Sequence, residues 1–465
     1  MINSTFYFRL LSFSNIIIFY GFSIFIPNIY SEENKIDSKE ESKSLKTSEV
    51  KTLKEEKGLN PKEKEQEIQI DPKNGLKKIP IELGMFVDGY YNYNLNRPSA
   101  TSQNYTTQAI QNDSFAINLA HIEAKLDLEK FRGRVALQYG TSVNANYANE
   151  TSNQKNSNQN SVRNIQEAYV GMKLGKKTWL DAGIYLGNIG FEAWASAYNW
   201  VYTRAIVLDN VPYYSTGVRL SHELSDKFSM QLHIMNGWQN ITDNNKDKSL
   251  GMQFLFKLNS KEKFTYNNFI GNETPSKAST DSTGMVYYSN KYTTGNTRYY
   301  HNFIYQQDVS DRLSFAGSMD VGFQIRGKSD IYNPMIPSDL NSGYPYYNSH
   351  SNAFRQWYNA TLWVTYKLFP EWRTSGRIEK YIDREETNVT IVKQSTSFEK
   401  NPGKKPNGFQ VFGISLNLDY IPTEYTMLRF ELKYRRSMDP IFDYSDSTDL
   451  SRIERLFISA VSLKY

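Results

Sequence analysis

Two stretches in the last quarter of the chain carry ionisable side chains at every second position. Arg377, Glu379, Tyr381 and Asp383 form one set; Arg429, Glu431, Lys433 and Arg435 form the other. Residues two apart on an extended chain share a face, so each set makes a mixed-charge wall. The chemistry open to such a wall is electrostatic. A solute leaving bulk water for a narrow passage loses hydration, and wall charges offset that loss while favouring one sign of ion. Arg134, Arg219 and Arg326 would add to the wall, facing Asp88, Glu167, Asp181 and Asp320. An equally open reading is that arginines and carboxylates of neighbouring strands pair across the wall and stiffen it. Under the first reading, replacing Arg377 and Arg429 with Glu shifts ion selectivity toward cations.

A second group of candidates lies in residues 189–212, where Phe191, Trp194, Trp200, Val201 and Tyr202 accompany Glu192, Arg204 and Asp209. So apolar a loop is costly in water, so it is expected to fold inward and narrow the passage; packing on neighbouring loops or on another subunit is the alternative. Enzymatic chemistry finds little support. His121, His222, His233, His301 and His350 are isolated, and no HxxxH, HExxH or GxSxG pattern is present. We therefore expect no catalytic residues, no metal site and no cofactor. The absence of cysteine excludes disulfides, thiolate metal sites, a cysteine nucleophile and acylation at an N-terminal cysteine.

The elements that must position these residues read as strands. From residue 81 onward, segments of about ten residues alternate with turn signals. In 313–328, Leu313, Phe315, Met319, Val321 and Phe323 take one face, while Ser314, Ser318, Asp320, Gln324 and Arg326 take the other. Residues 412–419 and 428–435 divide in the same way. The segments near 115–128 and 298–308 are less regular, and a bulge there would flip the phase. Seven short connections alternate with eight long ones along the chain, which gives sixteen strands with both ends on the short-turn side. Segregated loop lengths are expected of an outer-membrane barrel, whose periplasmic turns are short and whose extracellular loops are long. The fold expected is thus all-β, a transmembrane antiparallel up-and-down barrel over 81–465. The last fifteen residues alternate to an aromatic end at Tyr465, as a barrel-closing strand and a signal for the barrel-assembly machinery would.

Composition agrees with this expectation. Tyr and Phe number 34 and 26, yet mean hydropathy is −0.61, too polar for a bundle of membrane helices and suited to strands with one face in lipid and the other in water. The net charge of +5 is small and dispersed, so no nucleic-acid footprint is expected. Residues 1–30 read as a secretory signal peptide, with Arg9 ahead of an apolar core at 16–26. Residues 31–80 are nearly half Lys, Glu and Asp and cannot bury a core, so they read as a disordered periplasmic extension.

Several stretches resemble the OmpL-like β-barrel porin family: GYYNYNLNRP at 89–98, IQEAYV at 165–170, LDAGIYLGNIGFE at 180–192, YYSTGVRL at 213–220, NGW at 236–238, GRIEKYIDRE at 376–385 and LRFELKYRR at 428–436. The likeness spans about 81–465 and implies passive passage of small solutes through the outer membrane. The sequence departs from it in an acidic loop at 439–449 and in loops rich in Asn, Ser and Tyr, which leaves the solute unspecified. By position, 189–212 is analogous to the constriction loop of general porins. The expectation is a channel for ions and small polar solutes in the bacterial outer membrane, with lipids and those solutes as partners and a homotrimer compatible with its strand number. The alternative is a surface adhesin or ligand-binding barrel whose long loops contact a partner, and conductance separates the two.

Overall fold

The computed structural model describes residues 80–465 except 149, 151–159, 244, 246, 274–276, 281–285, 290–296, 326–353, 394–405 and 446–449. The signal peptide expected at 1–30 and all of the charged extension expected at 31–80 except Pro80 lie outside the described residues, as do Arg326 and His350.

Sixteen strands close into one antiparallel barrel in sequence order. They are β1 (Ile81–Asn94), β2 (Phe115–Asp127), β3 (Phe131–Tyr139), β4 (Ile165–Gly175), β5 (Thr178–Leu186), β6 (Tyr214–Glu223), β7 (Phe228–Met235) and β8 (Ser249–Lys257). The second half comprises β9 (Glu262–Asn272), β10 (Thr297–Asp308), β11 (Leu313–Ile325), β12 (Phe354–Phe369), β13 (Trp372–Asp383), β14 (Phe409–Tyr420), β15 (Thr426–Ser437) and β16 (Ile453–Lys464). The terminal pair closes the ring, with Phe86 opposite Lys464 and Asn94 opposite Leu456, so neither carries a free edge.

Period-two patterning explains why these segments pair as they do. On β11, Ala316, Ser318, Asp320, Gly322 and Gln324 are buried while Met319 is exposed. On β15, Arg429, Glu431, Lys433 and Arg435 are buried and Leu428, Phe430 and Leu432 are exposed. Apolar side chains therefore point outward and charged ones point inward. Of the two irregular strands, β2 contains the bulge: Asp88 of β1 faces Leu119 and Gly89 faces Ile117, so Asn118 is the extra residue and the phase flips there. The other, β10, keeps an unbroken register with both neighbours. It looks irregular because Ile304 faces inward and His301 outward, where the Tyr266 hydroxyl lies 2.7 Å from its Nδ1.

Three features of the long connections go beyond strands and turns. The β3–β4 connection holds two short helices, α1 (Thr141–Asn146) and α2 (Asn160–Arg163). Small hairpins form in two others, Lys277–Thr280 with Val286–Ser289, and Phe442–Asp443 with Leu450–Ser451. Above all, the β5–β6 connection builds an apolar core of its own. Trp194, Val201, Ala205, Ile206, Val207, Leu208 and Val211 are buried with Val143, Tyr147 and Ile241 from neighbouring connections and with Phe86, Trp357 and Trp363 from the wall. Each large side chain so buried favours the folded state by about 1.5–3 kcal/mol, and this is what draws residues 187–213 inward.

Candidate functional site

The wall formed by β13, β14 and β15 places its charged side chains by register. Arg377 faces Ser415 across β13–β14, and Ser415 faces Lys433 across β14–β15. Segment 187–213 lies directly on this wall. Arg377 donates through Nη1 to Glu192 Oε1 (3.2 Å) and to the Thr203 carbonyl, through Nη2 to Thr203 Oγ1 (3.2 Å), and through Nε to Glu379 Oε1 (3.2 Å). Glu379 accepts from the Ile206 backbone N–H (2.6 Å), and Glu431 from the Thr203 N–H and hydroxyl, both at 2.7 Å. Lys433 donates to Thr203 Oγ1 (3.1 Å). Lower on the wall, Arg429 donates to Asp419 (2.8 Å) and to the carbonyls of Ser196 (2.6 Å), Asn199 (2.9 Å) and Trp200 (3.1 Å). Across the closing seam, Asp88 accepts from Ser196 Oγ (2.5 Å) and the Tyr202 hydroxyl (2.9 Å).

Every side chain in this array is buried; Arg377, Glu379, Glu192 and Glu431 have no exposed side-chain surface. The charges of this wall are thus spent on backbone groups of the segment that covers them. A charge buried in this way is held only while its partners stay in place. Replacing Arg377 or Arg429 therefore acts first on the anchorage of the segment.

The other residues of the segment complete the clasp. Glu192 also accepts from Trp363 Nε1 (2.8 Å) and the Ala205 N–H (2.7 Å). The Arg204 guanidinium lies between the rings of Tyr213 (3.9 Å) and Trp194 (4.8 Å), donates to Thr107 Oγ1 (2.6 Å), and stands 3.5 Å from Asp209. Trp200 packs edge-on to Phe191, with ring centres 5.1 Å apart. Two candidates serve other partners. Arg435 pairs with Glu454 (2.6 Å) and donates to the Tyr105 carbonyl (2.7 Å), while Asp383 accepts the N–H groups of Thr387, Asn388 and Val389. Asp320 is buried among Tyr300, Asn302 and Asn359. At the extracellular rim, Glu150 accepts from the Tyr214 hydroxyl (2.6 Å) and the Ile241 N–H (2.8 Å), and burial pushes its carboxyl above the ordinary glutamate value.

The wall of β2 to β6 differs. Arg134 pairs with Glu123 and Glu167, and Lys125 with Glu123 (2.9 Å). Asp181 lies between Arg132, at 2.6–2.7 Å, and Arg219, at 2.9–3.0 Å. Arg132, Arg134 and Arg219 keep 25, 21 and 16 % of their side-chain surface exposed. Sequence reasoning missed Arg132 and Glu123 here, and Arg373 and Asp419 opposite, where Arg373 donates to Asp419 at 2.6–2.8 Å and remains 22 % exposed. The signal was available: Arg132 is two positions before Arg134, and Arg373 four before Arg377, hence each on the same face.

A family model, described as "Putative beta-barrel porin-2, OmpL-like", matches residues 80–462. The chain belongs to that family. It is accordingly a porin-type barrel of the bacterial outer membrane. Solved structures similar to it include OprB of Pseudomonas putida (11% identity, TM-score 0.49, covering 83% of this chain and 94% of that one). Others are the loop-L8 deletion mutant of OmpT from Vibrio cholerae (8%, 0.48, 83% and 99%) and an anion-selective porin from Comamonas acidovorans (8%, 0.46, 83% and 99%). No curated protein matches the sequence.

Proposed function

We propose that the protein is a water-filled channel for passive diffusion of ions and small polar solutes, with residues 187–213 setting its aperture. The observation that carries this reading is the unequal exposure of the two walls. The segment is fastened to β1, β12, β13, β14 and β15, while Arg132, Arg134 and Arg219 keep part of their side-chain surface in water. Water-accessible charge on the inward face of a lipid-embedded barrel is the lining that a hydrated solute needs. Glu192, Trp194, Trp200, Arg204 and Asp209 act in this reading as the clasp that fixes the aperture. Lipid covers the outward belt, on which Leu83, Ile122, Val170 and Leu362 are more than half exposed.

The test is insertion of the full-length protein into planar bilayers. Stepwise single-channel conductance that scales with salt is the expected result. A sealed barrel whose extracellular loops bind a ligand would replace this reading with that of a surface-binding scaffold.

A further inference from the structure

Two aspartates near the short-turn side of the lumen are each held between two arginines. Asp181 sits between Arg132 and Arg219, and Asp419 between Arg373 and Arg429. Register builds both forks. Asp419 lies directly opposite Arg373 on one side and Arg429 on the other. Asp181 lies opposite Arg219, but Arg132 is one strand further away and reaches Asp181 across Gly171 of β4. A Cβ at Gly171 would stand 2.3 Å from Asp181 Oδ1 and 2.8 Å from Arg132 Cγ, so this contact depends on the missing side chain.

Within each fork one carboxylate faces two guanidinium groups, and the exposed Asp127 stands opposite Arg132 across β2–β3. In the neighbouring cluster, Arg134 and Lys125 are balanced by Glu123 and Glu167. In the forks, Arg132, Arg219 and Arg373 turn Nε and Nη2 to the aspartate, Arg373 Nη2 also donating to the Asn199 carbonyl (3.3 Å), and their Nη1 groups have no hydrogen-bond partner among the described residues. Rings hold two of these planes in place, Trp179 at 4.5 Å from Arg132 and Tyr185 at 4.6 Å from Arg219. A guanidinium fixed on one edge and faced by a ring presents its remaining edge to solvent with little freedom to lose on binding, and that edge matches an oxyanion.

We propose that the open guanidinium edges of Arg132 and Arg219 beside Asp181, and of Arg373 beside Asp419, are anion subsites of the periplasmic half of the lumen, and that they make the channel favour solutes bearing carboxylate or phosphate oxygens. The inference rests on the channel reading above and adds the class of solute. It moves selectivity away from Arg377 and Arg429, which the covering segment encloses, to Arg132, Arg219 and Arg373, which keep part of their side-chain surface in water.

Reversal potentials of the full-length protein in planar bilayers under a KCl gradient test it, together with the block of single-channel current by added inorganic phosphate. The wild-type channel is expected to pass chloride over potassium and to be blocked by phosphate. The double variant Arg132→Gln, Arg373→Gln is expected to lose most of the chloride preference and to need about tenfold more phosphate for the same block, the loss of a charge-assisted contact. Should that variant fail to assemble, Arg132→Lys with Arg373→Lys keeps the charge and loses the fork: chloride preference should persist while phosphate block weakens. Conductance without anion preference in the wild type, or unchanged selectivity and block in the variants, would overturn this inference alone. Absence of any conductance would overturn the channel reading and this inference together.

Discussion

The walls on either side of the lumen are made from the same amino acids and meet opposite fates. On β13 and β15, Arg377, Glu379, Arg429 and Glu431 lie at alternate positions and end wholly buried. On β2 to β6, Arg132, Arg134, Glu123 and Arg219 also face inward and keep part of their surface in water. The difference is a third party. Segment 187–213 lays its backbone N–H and carbonyl groups on one wall, and these groups, which need partners once out of water, take up the side chains there. A charge on the inward face of a barrel is thus a selectivity element only where nothing covers it; elsewhere it is a fastening.

Removing a fastening should have the largest effect. Arg377→Ala leaves Glu192, Glu379 and Glu431 buried without their shared cation, at a cost of about 3–5 kcal/mol. We expect the folded barrel to convert to the heat-denatured electrophoretic form at a clearly lower temperature, and any assembled channel to show raised, noisy conductance. Retention of both wild-type heat stability and conductance would erase the distinction between the walls. A smaller loss is expected at Gly190, which has φ of +107° and where a Cβ would lie 2.3 Å from Leu208 Cδ2. Gly190→Ala should cost about 1–2 kcal/mol and make the segment cleavable in limited proteolysis under conditions where the wild type is not.

Much of this barrel was legible in the sequence, because a strand between lipid and water must alternate and the alternation can be read residue by residue. The sixteen strands, the short and long connections and the faces of β11, β14 and β15 all follow from that rule. The bulge at Asn118 could be suspected but not located, since it is fixed by pairing with Asp88 and Gly89 on another strand. At the candidate site the alternation placed Arg377 and Arg429 on the inward face. It carried no information on whether they meet water, because that depends on contacts such as Thr203 with Glu431, 228 positions apart in the chain. One fork has the same origin: the face of Arg132 was readable from Arg134, but Arg132 and Asp181 come together only across the bare backbone of Gly171.

On the open wall, the comparison predicts little loss of stability and a change of function. In Arg132→Gln, the buried Asp181 keeps both contacts with Arg219, so the loss is expected to be well below that of Arg377→Ala, which leaves three carboxylates without their shared cation. Heat stability should therefore stay close to wild type while reversal potential moves, the converse of Arg377→Ala. A marked drop in stability would put Arg132 among the fastenings.

The smallest effect expected is one of pH at the extracellular rim. Burial raises the Glu150 carboxyl, against the opposing hydrogen bonds from Tyr214 and the Ile241 N–H. A carboxyl that holds its proton more tightly in the folded state contributes most to stability below its unfolded pKa and loses that contribution as pH rises through that value toward the raised one. The contact between α1 and residues 236–243 should accordingly loosen from acidic toward neutral pH. Hydrogen exchange of those amides, corrected for intrinsic rates, reads the change. Glu150→Gln, which never ionises, should show a flat profile, and an unaltered dependence in that variant would assign the effect to another group.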